Sequence, residues 1–433
     1  MASSRRVSPK AIADIHKLVD DACADADNGL PCASVVLLGK AGHEVVELAS
    51  HSVGARDSQG EKDCYWLASC TKLVTAIACI QLVEQGRISL DDANQVEAVC
   101  PELRGVQVLQ EDGSLVEKTR RITLRMLLTH TGALRGTKLM ESLKSLTSTA
   151  AGFGYSFLNP KLRSYRLRNH QPEFDEFSGL EADMHQPLVN QPGERFEYGT
   201  SMDWVGILIS RLTGQKLNDY MQQNIFQPLG ASEISMLPSE ESKKRLMGIW
   251  QRDASGYLSS REYPLRRPLV DPDTFHSGGA GLFGSPREFS KVLGALLNNG
   301  TSPLTGMSIL KPETVDAMFV NQLPHDPDFA RRYLPAVKPD LVYPAEELYP
   351  LCPVGEPQGW GLSFMISPAI TGRSDRTVHW SGLSNVHWWC DRENGVAGVV
   401  GSQVLPFADP QVAALWMRVE DRLYEELNEG NKA

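Results

Sequence analysis

The residues with the clearest chemical content are Ser69 and Lys72, in the run Ser69-Cys70-Thr71-Lys72 at the start of a helical stretch. Three residues apart on a first helical turn, the two side chains share one face. That turn also offers unpaired backbone N–H groups and positive potential beside the serine oxygen. A hydroxyl becomes a nucleophile only when its proton is removed. A lysine removes it only if burial or a neighbouring cation lowers its own pKa. Alone the pattern carries little, because serine is also a common helix N-cap.

Two further runs supply what the pair lacks. Tyr198-Gly199-Thr200 follows Pro192-Gly193 and directly precedes a helical run, which places Tyr198 to relay a proton between the Ser69 oxygen and a leaving group. His379-Trp380-Ser381-Gly382 lies on a late strand followed by a second strand. A glycine at a strand end lets the backbone approach a substrate, and the N–H of Leu383 is expected to pair with that of Ser69 as an oxyanion hole. His379, Trp380, Ser381 and Gly382 are then the expected substrate-binding residues, with a structural strand histidine an equal reading of His379.

The elements that must position these residues come from both ends of the chain. Residues 8–26 read as an amphipathic helix through Ile12, Ile15, Leu18 and Val19. Strand-like runs follow at Ser34–Leu38 and Glu44–Ala49, joined by Gly39-Lys40-Ala41-Gly42. Thr71–Gln85 reads as a helix closed by Gly86. Helical signals dominate from Leu124 to Leu237, at Leu124–Leu128, Met202–Leu212 and Leu217–Ile225, and the stretch from Leu134 to Pro192 is the least regular. Strands return at Trp360–Ile366, Thr377–Trp380, Asn385–Trp389 and Gly395–Val400, and a helix from Pro410 to Leu427 closes the chain. The pattern predicts an α/β plus α fold: an antiparallel sheet flanked by helices, with a mostly helical lobe inserted and the active site in the cleft between. Residues 1–115 and 275–433 form the sheet unit in this reading, and 116–274 the inserted lobe.

Composition narrows the function classes. The chain has 433 residues, 42% hydrophobic and 22% charged, which is ordinary for a soluble globular protein. A formal net charge of -10 argues against nucleic acid, which needs a basic face. No apolar run approaches a membrane span or a secretory leader. The eight cysteines form no CxxC pair and have no histidines at zinc spacing, so free thiols in a reducing, cytoplasmic compartment are expected. No metal or other cofactor is called for, since no histidines stand at i, i+4 with an acidic partner.

The order S-x-x-K, then Tyr198-Gly199-Thr200, then a strand ending in W-x-G resembles the serine β-lactamase and penicillin-binding-protein superfamily. Leu127-Leu128-Thr129-His130-Thr131-Gly132 and Arg87–Asp91 (RISLD) are similar to segments of its class C-like branch. Among its members the chain is most similar to fungal polyketide acyltransferases of the lovastatin type, on Leu67–Leu73 and Glu197–Gly206. The resemblance implies that Ser69 is acylated and that Lys72 and Tyr198 form its base. Trp380 stands where β-lactamases and transpeptidases usually carry a lysine. The reason to bind an acidic antibiotic is thereby removed, and the W-x-G resembles that of family VIII carboxylesterases.

Other residues carry weaker signals. His130 is expected to order a loop through hydrogen bonds rather than act as a base. Cys70 should pack inward, and of Trp388 and Trp389 one should lie in the core and the other nearer the surface or a lobe contact. Ser277-Gly278-Gly279-Ala280-Gly281 lacks the order of a nucleotide loop and reads as a tight strand-to-helix junction near the cleft. Phe153, Tyr155, Phe157, Phe174 and Phe177 either wall a pocket or stabilise their own loop.

The expected function is an acyltransferase that moves an acyl group from a thioester or ester, with or without an acyl-carrier domain, through Ser69 to an alcohol. The alternatives are a carboxylesterase with the same residues and a non-catalytic ligand-binding member of the fold. The last is disfavoured because Ser69, Lys72 and Tyr198 are all present.

Overall fold

The computed structural model describes residues 7–25, 27–42, 44–54, 60–130, 152–169, 176–193, 196–331, 336–345 and 352–430. Thr131, Gly132 and Phe174 lie outside these residues. The framework is a seven-stranded antiparallel sheet in the order Glu44–Gly54, Cys32–Ala41, Val396–Gly401, Val386–Asp391, Val378–Gly382, Met365–Ile366, Gly359–Trp360. Early and late strands meet at its centre, where Val36 pairs with Val399.

Burial explains which runs read as strands. Cys32–Ala41 is buried along nearly its whole length, so it is apolar on both faces. Its outer neighbour Glu44–Gly54 is an edge strand with exposed charged and polar positions. The stretch expected as one strand over Trp360–Ile366 is two short strands, because Ser363 adopts a φ of 83° and the chain doubles back there. Residues 249–261, expected in the helical lobe, form a hairpin that pairs with Val404–Leu405.

Helices cover both faces. Pro9–Cys23 is capped by the Ser8 hydroxyl on the Ala11 N–H and buries Ala11, Ile15 and Val19. It lies beside the closing helix Pro410–Gly430, tied by Arg422 to Asp14 at 3.0 Å. Pro286–Leu297 packs on the other face. Alternation along Val386–Asp391 marks the two sides: His387 stacks on Trp416 of the closing helix, and Trp388 meets Phe289 of the opposite one. Trp389 is therefore as buried as Trp388. Gly398 makes room for it, since a Cβ there would lie 2.3 Å from the Trp389 ring.

The helix Thr71–Glu84 is apolar all round and sits in the core. It ends as expected at Gly86, whose φ of 70° lets Gly86 N–H reach Val83 O and Arg87 N–H reach Leu82 O. Among the described residues no helix is long and apolar enough to cross a membrane, and no group of three or more acidic, His or Cys side chains is placed to hold a metal. All eight cysteines are free, and Cys70 packs inward with its thiol towards Val386 O.

Candidate active site

Ser69 occupies a single 3₁₀ turn, Ala68–Cys70, that runs directly into the Thr71–Glu84 helix. Ala68 is held at a φ of 43°, a left-handed conformation that a residue with a Cβ adopts only when its surroundings force it. Those surroundings are the Thr71 hydroxyl, bonded to Ala68 O at 2.6 Å, and the strand end at Gly382. A Cβ on Gly382 would lie 2.4 Å from Leu67 O. The glycine thus admits the chain just before Ser69.

Lys72 is fully buried, with Nζ 3.0 Å from Ser69 Oγ, 3.0 Å from the Tyr155 hydroxyl and 2.9 Å from Gly279 O. All three neighbours are neutral oxygens. Burial penalises the ammonium and lowers its pKa to about 7, while Asp203 and Cys70 pull weakly the other way. Nζ also lies 4.7 Å from the centre of the Tyr198 ring.

Tyr198 is half-buried and hydrogen-bonded to Ser69, and its oxygen accepts the Trp380 indole N–H at 3.1 Å. Burial drives its pKa above the ordinary phenol value, against the pull of those two hydrogen bonds. Near neutrality Tyr198 is therefore a phenol, and Lys72 is the group whose protonation is poised. The Trp380 ring packs 4.9 Å from that of Tyr198 and its N–H fixes the phenol oxygen.

The turn Ser277–Gly281 is tied to the helix Ser201–Thr213 through Asp203, which accepts from Ser277 Oγ at 2.6 Å and Gly279 N–H at 3.1 Å. Thr75 Oγ1 holds Gly278 O at 2.7 Å, and the Trp66 indole holds Ala280 O at 2.7 Å. This turn feeds the short strand Phe283–Gly284 and presents the Gly279 carbonyl to Lys72.

A pocket opens beside Ser69 between Phe157, Leu158, Phe177, Val342, Leu383 and Phe407, with Tyr198, Trp380 and Ser381 at its polar end. Two of the loop aromatics singled out in the sequence, Phe157 and Phe177, are thus walls. Phe153 instead stacks on Trp204.

Both histidines take structural positions. His379 does not face the pocket: the strand alternation turns it to the opposite side of the sheet, where Nε2 lies 2.9 Å from Ser367 Oγ and 3.2 Å from an Arg373 nitrogen. Arg373 in turn meets buried Glu420 at 3.4 Å, which also binds Thr371 and Trp416. His130 orders its loop through its backbone, whose carbonyl accepts the Glu197 N–H at 2.9 Å. Its ring packs on Tyr198, and among the described residues neither ring nitrogen has a hydrogen-bond partner.

Tyr155, Asp203 and Gly279 were missed as members of the site. Asp203 reads as an ordinary acidic residue in a first helical turn, and nothing in the irregular stretch around Tyr155 signals Lys72, 83 residues away.

Comparison with known proteins agrees with this geometry. The chain is 32% identical to lovastatin esterase of Penicillium rubens over 385 residues, covering 86% of this chain and 87% of that protein. It is 30% identical to monacolin J acid methylbutanoyltransferase of Aspergillus terreus over 380 residues, 84% and 82% of the two chains. Its fold superposes on a mutant form of simvastatin synthase (LovD) from Aspergillus terreus with a TM-score of 0.75 at 26% identity, covering 97% and 96% of the two chains. The Beta-lactamase family model matches residues 21–420, and with the Ser69, Lys72 and Tyr198 cluster in place the chain belongs to the β-lactamase family.

Proposed function

We propose that the chain is an acyltransferase that carries an acyl group on Ser69 from a thioester or ester donor to a hydroxyl of a small-molecule acceptor in polyketide-type secondary metabolism. Lys72 is the decisive feature: a buried amine poised near neutrality, 3.0 Å from a serine hydroxyl that lines an apolar pocket. As its lone pair takes the Ser69 proton, Oγ attacks the donor carbonyl, and the oxyanion forms against the N–H groups of Ser69 and Leu383. The Tyr198 phenol passes a proton to the departing thiolate or alkoxide and is made good from the Lys72 ammonium. The acceptor hydroxyl then repeats the sequence in reverse, freeing Ser69.

Among the described residues that line the pocket none is a cation: Trp380 donates a neutral N–H to Tyr198, and the walls are apolar. A neutral acyl group suits it better than a carboxylate. Likeness to monacolin J acid methylbutanoyltransferase supports transfer to an alcohol, and the eight free thiols suit a reducing, cytoplasmic setting. Delivery of the acyl group by a carrier domain belongs to the same proposal. Hydrolysis is the second reading, favoured by likeness to lovastatin esterase.

Intact-protein mass measurement after mixing with short acyl p-nitrophenyl esters and acyl thioesters tests the scheme. Wild type should gain one acyl mass, Ser69→Ala none, and added alcohols should clear the adduct faster than water. Clearance by water at the same rate makes the protein an esterase. Turnover retained in Ser69→Ala overturns the mechanism.

A further inference from the structure

Lys72 Nζ has three oxygen neighbours, and their chemistry restricts how its hydrogens are arranged. Gly279 O is a carbonyl and can only accept, so one N–H is committed to it at 2.9 Å. A neutral amine has one further N–H and one lone pair to divide between two hydroxyls, Ser69 Oγ and Tyr155 OH, each 3.0 Å away. If Tyr155 accepts the N–H, the lone pair faces Ser69 and can take its proton. If Tyr155 donates instead, the lone pair is spent on the phenol and the N–H faces Ser69, an arrangement that cannot react.

Asp203 biases the choice. Its Oδ1 is occupied by Ser277 Oγ and Gly279 N–H. Its Oδ2 stands on the side of Gly279 where Tyr155 OH also lies: a Cβ on Gly279 would meet Asp203 Oδ2 at 2.5 Å and Tyr155 OH at 3.2 Å. A carboxylate there draws the phenol hydrogen away from the amine and leaves the phenol oxygen as an acceptor. Thr200, two residues beyond Tyr198, has its hydroxyl engaged by Gln186 at 3.2 Å, so the third oxygen on Lys72 comes from Tyr155.

We propose that Tyr155 is a positioning residue for Lys72, accepting one N–H so that the amine lone pair is aimed at Ser69. The proposal rests on the reading of Ser69 as nucleophile and Lys72 as base. Once the serine proton has moved, the ammonium has three N–H groups and three oxygens already in place, so the proton transfer needs no rotation of the lysine. Stacking sets the phenol: the Tyr155 ring lies 4.8 Å from Phe157 and 5.4 Å from Tyr198. The groups facing Lys72 are Ser69 and Cys70 on its own turn and helix, Tyr198 and Asp203 from the Tyr198 loop and the helix after it, Tyr155, and the His130 ring.

Tyr155→Phe removes the hydroxyl and keeps the ring packing. The experiment is single-turnover acylation of Ser69 by a p-nitrophenyl ester across the neutral pH range, with wild type, Tyr155→Phe and Lys72→Ala in parallel. Tyr155→Phe should acylate about tenfold more slowly with KM unchanged. Its acid limb should move to lower pH, because the ammonium loses a charge-assisted hydrogen bond where the neutral amine loses only a weak one. A purely structural role would slow acylation without moving the limb, and overturns the proposal, as does a rate within a factor of about two of wild type. Should Tyr155→Phe fail to fold, difluorotyrosine at position 155 weakens the acceptor and should slow acylation by an intermediate amount; an unchanged rate there counts against the proposal equally. Normal acylation by Lys72→Ala would instead remove the base reading, and an inactive Lys72→Ala beside a normal Tyr155→Phe removes only the role of Tyr155.

Discussion

Lys72 and Arg373 are buried cations on opposite sides of the same strand, Val378–Gly382, and their neighbours differ. Among the described residues Lys72 is ringed by three neutral oxygens, and the Asp203 carboxylate acts through the Gly279 peptide. Arg373 meets the Glu420 carboxylate directly, and Thr371 and Trp416 satisfy the remaining acceptors of that group. Desolvation weighs on both sides of the sheet. Without a directly bonded anion the amine sheds its proton near pH 7. A guanidinium cannot lose its proton and is paired instead. One arrangement makes a titrating base, the other a fixed internal cross-link.

The largest effect expected from breaking this contrast is on Lys72. Lys72→Met should lower acylation by about 10² to 10⁴, the usual range for a lost general base. Thermal melts should show no loss of stability, since a buried amine gives way to an apolar side chain of similar length. Arg373→Met should do the converse. It strands Glu420 without its cation, and the stability lost, read from urea unfolding, should be about 3 kcal/mol or more. The folded fraction should acylate normally. Activity lost beyond that fraction would mean that the two clusters are coupled through the strand.

Titration separates them further. Acylation should rise as pH passes about 7, where Lys72 becomes neutral. Stability should follow the histidines. Burial holds His130 and His379 well below the ordinary value of 6.5 and His387 at about 3, so the unfolded chain takes up their protons first. Stability is therefore constant with respect to these groups above about 6.5 and falls as pH drops from there, by up to about 1.4 kcal/mol per unit for each histidine. Denaturant midpoints at stepped pH check this, and a flat profile below 6 would show that the histidines are already charged in the fold. The smallest effect is on Trp380→Phe, which keeps the ring and removes the hydrogen bond to Tyr198. A neutral hydrogen bond contributes about 1 kcal/mol, so kcat/KM should fall about fivefold with the melting temperature unchanged.

Much of this was legible from residue types. The S-x-x-K run, Tyr198 and the W-x-G strand could be picked out because each sits beside an element boundary that marks itself: a helix start, a Pro-Gly turn, a strand end. The sequence left His379 open between a substrate role and a structural one because a side chain's face depends on strand register, and one residue of offset exchanges the pocket side for the side beneath Pro410–Gly430. That both Trp388 and Trp389 are buried has a related cause, since the sequence does not announce that both faces of the sheet are covered. Tyr155 had no such marker: its partner is 83 residues away and its surroundings have no period.

By itself the sequence determined which residues are candidates for nucleophile and base and the order of elements around them, because those follow from local spacing and side-chain chemistry. Only the tertiary structure decided that Lys72 is wholly desolvated among neutral oxygens, that Tyr198 takes its hydrogen bond from Trp380, and that Asp203 and Gly279 stand behind the amine. A pKa is set by everything within a few ångströms, and the chain brings those groups together from stretches far apart in sequence.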